Sequence, residues 1–324
     1  MSEGRTSAVL TGLGTCLPER IVTNEDLAGR LDTSHEWIHS RTGIARRHVA
    51  DPGTSTADLA AAAGRAALES AGRSDCDLVV VATTTPDRAC PATAPAVASA
   101  LGLTGAGAFD LSAVCSGFVY GLSVAAAMIT AGTSRSALVI GAERYSAIVD
   151  PEDRGTAVIF GDGAGAVLLE GGDADVPGAV LRTELGSDGT GNELITVPPG
   201  ERYLRMQGRE VYTRAVPTMV ESARRIAESV GWRPEDIDAF VGHQANLRIL
   251  ESVAKRLGMP PGGLITNIED VGNTAAASIP LALAQAADQG RLQRGDRVVL
   301  TAFGGGLTWG SAALHWPDVR PVHR

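Results

Sequence analysis

The chain has 324 residues, of which 44% are hydrophobic and 20% charged, a composition typical of a soluble globular protein with a substantial core. Its net charge of -9 argues against general nucleic-acid binding. This charge is compatible with a local basic patch that binds an acidic partner. The sequence has neither a signal-peptide pattern nor the roughly 20 consecutive apolar residues that a membrane helix needs, so we expect a cytoplasmic protein without a membrane segment.

The first part of the chain predicts helices that alternate with buried strands. Residues 57–72 (ADLAAAAGRAALESAG) have helical spacing of apolar residues, and residues 77–82 (DLVVVA) follow as a strand. Residues 115–132 (CSGFVYGLSVAAAMITAG) are apolar nearly all round, which predicts a helix buried between layers. The strand at 136–141 (SALVIG) is continuous and apolar rather than alternating, which is typical of a sheet covered by helices on both faces.

The second part of the chain repeats this pattern at an offset of roughly 160 residues. A helix is predicted over 215–231, and strands are predicted over 237–242 and 296–301. The turn before Cys115 aligns with the turn that holds Asn273. We therefore predict an α/β protein of two similar halves, residues 1–172 with the Cys and residues 173–324 with the His and Asn.

Three side chains of the type used in nucleophilic catalysis lie far apart in the sequence. Cys115 precedes the buried helix, where the helix dipole would lower the pKa of its thiol, although a free Cys is also a common core residue. His243 follows a strand and Asn273 lies in a Gly-Asn-Thr turn, and each alone is better explained by a structural role. Together, a thiol, a nitrogen base and an amide indicate acyl transfer through a thioester.

The remaining cysteines and one glycine-rich segment have separate structural readings. Cys16, Cys76 and Cys90 form no CxxC pair and no metal-type spacing with His, so we expect reduced thiols and no metal site. The segment FGGGLTWGS (303–311) follows an apolar strand. Its backbone N–H groups are candidates for an oxyanion hole, and the alternative is a plain turn before the last strand.

Seven segments, distributed almost from end to end, closely resemble the β-ketoacyl-acyl-carrier-protein synthase III family of the thiolase superfamily. The resemblance implies a five-layer αβαβα thiolase fold and a homodimer, and the internal duplication supports this fold independently. The set is highly specific in this order: DTSHEWIHSRTGIARRH, VVVATTTPD, AFDLSAVCSGF, DPEDRGTAVIFGDGAGAV, GHQANLRILESVAKRLGMP, VGNTAAASIPLAL and AFGGGLTWGSA.

The resemblance implies a role for each matching active-site residue. Cys115 matches the nucleophile that is acylated. His243 and Asn273 match the pair that binds the malonyl thioester carbonyl and stabilises the enolate. The backbone N–H groups of Cys115 and Gly305 match the oxyanion hole, and Phe303 matches the aromatic residue near the leaving carboxylate.

The resemblance also implies two binding surfaces. Trp37 and Arg154 match the pair that stacks on the adenine of coenzyme A, and Arg41 matches a further contact to that molecule. A basic patch is expected to dock the acidic carrier protein and consists of Arg248, Lys255 and Arg256. Without the resemblance, this patch reads as a solvated helix face.

The implied reaction is a decarboxylating condensation of an acyl-CoA primer with malonyl-acyl-carrier protein, which starts fatty-acid synthesis. Coenzyme A enters as a thioester substrate, and neither a metal nor a redox cofactor is expected. The alternatives are a priming ketosynthase or an acyltransferase of secondary metabolism, and a non-catalytic binding module. A degradative thiolase is disfavoured because it needs a second catalytic Cys in the C-terminal half, and all four cysteines precede residue 116.

One departure from the family concerns the primer. Cys90, in DRACPA, stands where many relatives carry a bulky aromatic residue that reaches the primer pocket across the dimer. The smaller side chain predicts a pocket that accepts longer or branched acyl groups such as isobutyryl.

Overall fold

The structure is a computed structural model that describes residues 6–324. Its strands, in chain order, are β1 (Thr6–Cys16), β2 (Ile21–Thr23), β3 (Arg46–His48), β4 (Leu78–Ala82), β5 (Gly107–Leu111), β6 (Ser136–Arg144), β7 (Asp162–Asp173), β8 (Val180–Ser187), β9 (Ile195–Thr196), β10 (Arg205–Met206), β11 (Ala239–Gly242), β12 (Leu264–Ile265), β13 (Arg297–Gly304), β14 (Thr308–His315) and β15 (Val322–His323). Its α-helices are α1 (Asn24–Ala28), α2 (His35–Thr42), α3 (Thr56–Ser70), α4 (Ala94–Ala100), α5 (Gly117–Thr130), α6 (Gly208–Ser229), α7 (Leu247–Leu257), α8 (Ile268–Val271) and α9 (Ser278–Asp288).

Two large mixed sheets repeat one topology. The first has the order β15-β1-β7-β6-β4-β5, and the second has the order β12-β11-β13-β14-β8. In the first sheet β4 pairs in parallel with β5 and β6, and β7 is antiparallel to both β6 and β1. In the second, β11 pairs in parallel with β12 and β13, and β14 is antiparallel to both β13 and β8. This correspondence confirms the predicted duplication.

Helices cover both sheets and fill the space between them. Helices α3 and α4 pack on the outer face of the first sheet, and α6 and α7 pack on the outer face of the second. Helices α5 and α9 contribute to a central core that contains residues of both sheets. The predicted five-layer αβαβα arrangement of the thiolase fold is therefore confirmed, with the apolar helix after Cys115 in the middle layer.

Glycine lets α5 approach the first sheet closely. A Cβ at Gly117 would lie 3.0 Å from the Ala82 side chain, and one at Gly121 would lie 3.0 Å from a methyl group of Val139. These separations are tighter than ordinary packing permits, so the two glycines set how deeply the helix sits.

The division of the chain into residues 1–172 and 173–324 stays a prediction. Strand β7 ends at Asp173 and β8 begins at Val180, whereas the last strand, β15, pairs with β1 of the first sheet. The end of the chain is thus built into the sheet of the other half. No helix within residues 6–324 is long and apolar enough to cross a membrane.

Two equivalent turns lead into the central helices. A 3₁₀ turn at Val114–Ser116 precedes α5, and another at Ala275–Ala277 precedes α9. Each turn begins at a non-glycine residue with positive φ, 48° at Val114 and 44° at Ala275. Such conformations cost about 1–3 kcal/mol each and occur mainly at functional sites. Cys115 lies in the first turn, and Asn273 lies two residues before the start of the second.

Candidate active site

A single cleft of about 520 Å³ contains the side chains that the sequence analysis singled out as catalytic. Cys115 comes from the first half of the chain, whereas His243, Asn273 and Phe303 come from the second. The two β-sheets present these residues at equivalent ends of their strands, which is where α/β folds place their ligands. The same cleft extends to Trp37, Arg41, Arg154 and Arg248.

The Cys115 thiol is buried, with the residue 6% exposed. Burial raises the pKa of the thiol, the nearby Glu143 carboxylate raises it further, and the backbone N–H of Cys115 acts in the opposite direction. The predicted lowering of the pKa is therefore wrong for this state. Helix α5 begins only at Gly117, and the loss of water around the sulfur outweighs the stabilisation of a thiolate.

His243 follows strand β11 and is 2% exposed. Its backbone N–H donates to the Thr301 carbonyl at 2.8 Å, and its Nδ1 lies 2.8 Å from the Ser278 Oγ. Burial lowers the pKa of His243 to about 3. The imidazole is therefore neutral near pH 7 and can donate a hydrogen bond to a developing negative charge, since its other nitrogen is left for the cleft.

Asn273 is held from both sides. Its backbone pairs with the strand-like segment around Phe160. The Asn273 N–H donates to the Ile159 carbonyl at 2.9 Å, and the Asn273 carbonyl accepts from the Gly161 N–H at 3.0 Å. Its side-chain Oδ1 accepts from the Ala275 N–H at 2.9 Å. Because the oxygen is occupied by this bond, the amide nitrogen is the group that remains to donate in the cleft.

The glycine-rich segment brings strand β13 against the nucleophile. A Cβ at Gly304 would lie 2.8 Å from the backbone nitrogen of Cys115, so only glycine permits this approach. Phe303 is buried and lines the cleft on one side of this glycine, and Gly305 follows on the other. The pairing of the Cys115 and Gly305 N–H groups in an oxyanion hole stays a prediction.

The outer part of the cleft contains an aromatic ring with two guanidinium groups. The Cζ of Arg41 lies 4.6 Å and that of Arg154 lies 4.9 Å from the centre of the Trp37 ring. Arg154 also donates to the Asp32 carbonyl at 2.7 Å, and this bond holds its side chain near the ring. The structure therefore brings together the three residues predicted to bind coenzyme A.

The predicted carrier-protein patch lies along helix α7. Arg248 is in the first turn and lines the cleft, while Lys255 and Arg256 are exposed in the last turn. Asn246 caps the helix by accepting from the Arg248 N–H at 2.9 Å, and its side-chain nitrogen donates to the Arg41 carbonyl at 2.9 Å. These bonds join the start of α7 to the residues around Trp37.

Cys90 is located away from the cleft of its own chain. It is exposed, on the segment between β4 and α4. The carboxylate of Asp87 anchors this segment by accepting from the N–H groups of Thr56 and Ala57 at 2.7 and 3.0 Å. Within one chain, Cys90 does not meet the other predicted residues, and its contribution to the pocket of a second copy stays a prediction.

Several residues near the reaction centre were missed by the sequence analysis. The Glu143 carboxylate is fully buried, accepts from the Thr84 N–H and from the Thr85 hydroxyl, and has its pKa raised by burial to about 7. The Tyr145 ring lines the cleft and stacks on Phe160, with ring centres 4.5 Å apart. The available signal was the polar run that ends strand β6, at the edge where ligands bind.

Comparison with known proteins agrees with this geometry. The chain matches the family models for 3-oxoacyl-[acyl-carrier-protein (ACP)] synthase III over residues 109–189 and for its C-terminal part over residues 227–316. It is 71% identical over 319 residues to β-ketoacyl-[acyl-carrier-protein] synthase III 2 of Streptomyces coelicolor, which covers 98% of this chain and 97% of that protein.

Two crystal structures give the same result at the level of the fold. The 3-oxoacyl-(acyl carrier protein) synthase III of Pseudomonas aeruginosa PAO1 superposes with a TM-score of 0.95 at 52% identity, covering 97% of this chain and 100% of that one. The priming β-ketosynthase from the R1128 polyketide biosynthetic pathway superposes with a TM-score of 0.91 at 39% identity, covering 98% of both chains. The identity and coverage of these matches show that the chain belongs to the β-ketoacyl-acyl-carrier-protein synthase III family of acyl-transferring condensing enzymes.

Proposed function

We propose that the chain condenses an acyl-CoA primer with malonyl-acyl-carrier protein, with loss of carbon dioxide, and so starts fatty-acid synthesis. The observation that carries the proposal is the meeting of Cys115, His243, Asn273 and Phe303 in one buried cleft. A nucleophilic sulfur and two neutral hydrogen-bond donors are the groups that this chemistry needs, because the acyl group must be held covalently while an enolate forms beside it.

In the first half-reaction the Cys115 sulfur attacks the thioester carbonyl of the primer. The bond to the coenzyme A sulfur breaks, and the proton of the Cys115 thiol leaves with coenzyme A. The backbone N–H groups of Cys115 and Gly305 are proposed to bind the oxyanion of the intermediate. Donors already fixed at such a position contribute several kcal/mol, since they need not reorganise as charge develops.

In the second half-reaction the malonyl thioester loses carbon dioxide. The electron pair of the broken bond forms an enolate, whose oxygen is proposed to accept hydrogen bonds from His243 and Asn273. The Phe303 ring, beside the leaving carboxylate, favours uncharged carbon dioxide over a carboxylate. The enolate carbon then attacks the acyl carbonyl, and the released Cys115 thiolate takes up a proton. No step changes an oxidation state through a redox partner, so none requires a redox cofactor.

The outer cleft is proposed to bind coenzyme A and the carrier protein in turn. Trp37 offers a stacking surface for adenine between cationic groups, and Arg41 and Arg154 suit phosphate groups. Further along the rim, Arg248 and the exposed cations of α7 suit an acidic carrier surface. Arg209 on α6 also lines the cleft and adds positive charge, which the sequence analysis did not assign.

We also propose that the working form is a homodimer. Strand β5 ends the first sheet, and no strand within the described residues pairs with its outer edge. An open edge of this kind is a template for another strand, and a second copy of β5 satisfies it with equivalent bonds. The cytoplasm is the proposed location, since all four cysteines of the described chain are free thiols.

A second candidate is the priming step of a secondary-metabolite pathway. It is favoured by the structural match to the priming β-ketosynthase of the R1128 polyketide pathway. Both candidates use an acyl-Cys115 intermediate and differ in the primer and in the carrier protein that receives it.

The deciding experiment is the intact mass of the protein after incubation with acetyl-, isobutyryl- or longer acyl-CoA, followed by malonyl-carrier protein. We expect acylation to increase the mass of the wild type and of Cys76→Ala, which lacks another buried thiol, but not the mass of Cys115→Ala. Discharge to a 3-oxoacyl product supports condensation and identifies the primer. Acylation without discharge favours a plain acyltransferase, and no acylation with any donor contradicts the role of Cys115.

A further inference from the structure

We propose that Ser278 is a positioning residue that fixes His243 in the tautomer with its proton on Nε2. The inference rests on the proposed role of His243 as a donor to the enolate. It assigns a function to a buried hydroxyl that is not among the predicted site residues.

The geometry around Ser278 is specific. Its Oγ lies 2.8 Å from the Nδ1 of His243 and 3.3 Å from the backbone nitrogen of Gln244. Ser278 has no exposed surface, and His243 is nearly as buried. The Gln244 side chain is itself fixed, since its Nε2 donates to the Gly242 carbonyl at 2.7 Å and its Oε1 accepts from the Asn267 N–H at 3.0 Å.

These contacts decide where the protons lie. The Gln244 N–H is always a donor, so it occupies one lone pair of the Ser278 oxygen. Within residues 6–324, the Nδ1 of His243 is the one acceptor that the Ser278 hydroxyl reaches. A proton on Nδ1 would leave the hydroxyl with a buried, unused donor, which is unfavourable. Nδ1 therefore accepts, and the single proton of the neutral imidazole is on Nε2.

One short segment thus orients both donors of the cleft. The turn that begins at Ala275 supplies the N–H that holds the Asn273 oxygen. Three residues later, Ser278 begins α9 and holds His243. The two contacts leave an Asn273 N–H and the His243 Nε2–H as the groups available to the same enolate oxygen.

The kinetic test separates the two half-reactions. We expect Ser278→Ala to lower kcat for decarboxylation of malonyl-carrier protein about tenfold to a hundredfold, which is less than the loss of a whole oxyanion donor. The KM for malonyl-carrier protein and the rate of Cys115 acylation should stay near the wild-type values. Ser278→Thr keeps the hydroxyl and should restore most of the rate. Ser7→Ala is the control, since it removes another buried hydroxyl, bonded at 3.1 Å to the Val180 carbonyl.

A spectroscopic test reads the tautomer directly in the wild-type protein. Nitrogen NMR of isotopically labelled histidine distinguishes a protonated from an unprotonated ring nitrogen, and the His243→Ala spectrum assigns the signal. The proposal expects an unprotonated Nδ1 in the wild type and a mixture of tautomers in Ser278→Ala. A protonated Nδ1 in the wild type, or full decarboxylation by folded Ser278→Ala, would overturn it. A wild type that never acylates would instead contradict the proposed function.

Discussion

At the scale of single residues, the cleft is a set of buried polar groups whose charge states are fixed by burial. The Cys115 thiol is neutral because burial raises its pKa, and the His243 imidazole is neutral because burial lowers its pKa to about 3. The Asn273 amide is held by its oxygen. A site of neutral donors suits an enolate, since a cation at His243 would also stabilise the malonyl carboxylate and so oppose its loss.

Replacement of the two donors should separate condensation from acylation. We expect His243→Ala and Asn273→Ala each to lower kcat for malonyl decarboxylation about 10²–10³-fold, because each removes one positioned donor. Acyl transfer from acyl-CoA to Cys115 should stay within a few fold of the wild-type rate. Single-turnover acylation and carbon dioxide release measure the two steps, and an equal loss in both would contradict the assignment.

Glu143 should make stability depend on pH. Burial raises the pKa of its carboxyl from 4.5 to about 7, so the folded protein holds this proton more tightly than the unfolded chain does. The resulting stabilisation is complete below about pH 4.5 and is lost as the pH rises to about 7. We expect the free energy of unfolding to fall by about 3 kcal/mol over this window, since one pKa unit corresponds to 1.36 kcal/mol.

Urea unfolding at several pH values across this window measures the effect, with Glu143→Gln as the control. The variant keeps an uncharged, hydrogen-bonding side chain of similar size and should lack this component of the pH dependence. Parallel curves for the two proteins would show that Glu143 does not hold its proton in the folded state.

At the scale of elements, the central helix α5 determines how closely the nucleophile approaches both sheets. Its glycines lie against strands β4 and β6, and strand β13 approaches Cys115 from the second sheet through Gly304. The strained 3₁₀ turn at Val114 then directs the backbone of Cys115 into the space between the sheets. The position of the thiol is therefore a product of helix packing rather than of local sequence.

Filling the contact between α5 and the sheet should be destabilising. Gly121→Ala places a Cβ 3.0 Å from the Val139 side chain and 3.6 Å from that of Val80. We expect a loss of about 1–3 kcal/mol in the free energy of unfolding, because a close-packed core does not absorb an added methyl group freely. Denaturant unfolding measures it, and Gly53→Ala, which meets no atom within 4 Å, is the matched control.

At the scale of the whole molecule, the proposed homodimer would use the open edge of β5 and, by resemblance to the family, the exposed Cys90 segment. The N–H of Gly107 donates to the Asp77 carbonyl, and the Leu111 carbonyl accepts from the Thr83 N–H. Alternate residues of a strand direct their backbone groups to opposite edges, so Ala108 presents its N–H at the free edge. The Asp110 carboxylate on β5 accepts from the Thr93 and Ala94 N–H groups, so the segment between β4 and α4 ends beside this strand and would lie near a dimer interface formed there.

A proline at this position tests the dimer. Ala108→Pro removes a hydrogen-bond donor from the outer edge and leaves the ladder to β4 intact. We expect a shift from dimer to monomer in sedimentation velocity, together with lower activity if the Cys90 segment completes the primer pocket of the partner. Asp87→Asn is the control, since it loosens the same segment without touching the edge. If Ala108→Pro remains a dimer, the dimer interface does not include the edge of β5.

The duplicated α/β fold and the family could be predicted from the sequence, because helix and strand periodicity are local properties and the order of the motifs can be read along the chain. It also placed Cys115, His243, Asn273 and Phe303 in one reaction, and the structure brings these residues into one cleft. The charge states of Cys115, His243 and Glu143 could not be predicted in this way, because they depend on burial in the folded protein. The pKa of Cys115 is raised rather than lowered because desolvation depends on what packs around the sulfur. The contacts of Glu143 and Ser278 likewise join segments distant in the chain, which no local pattern records.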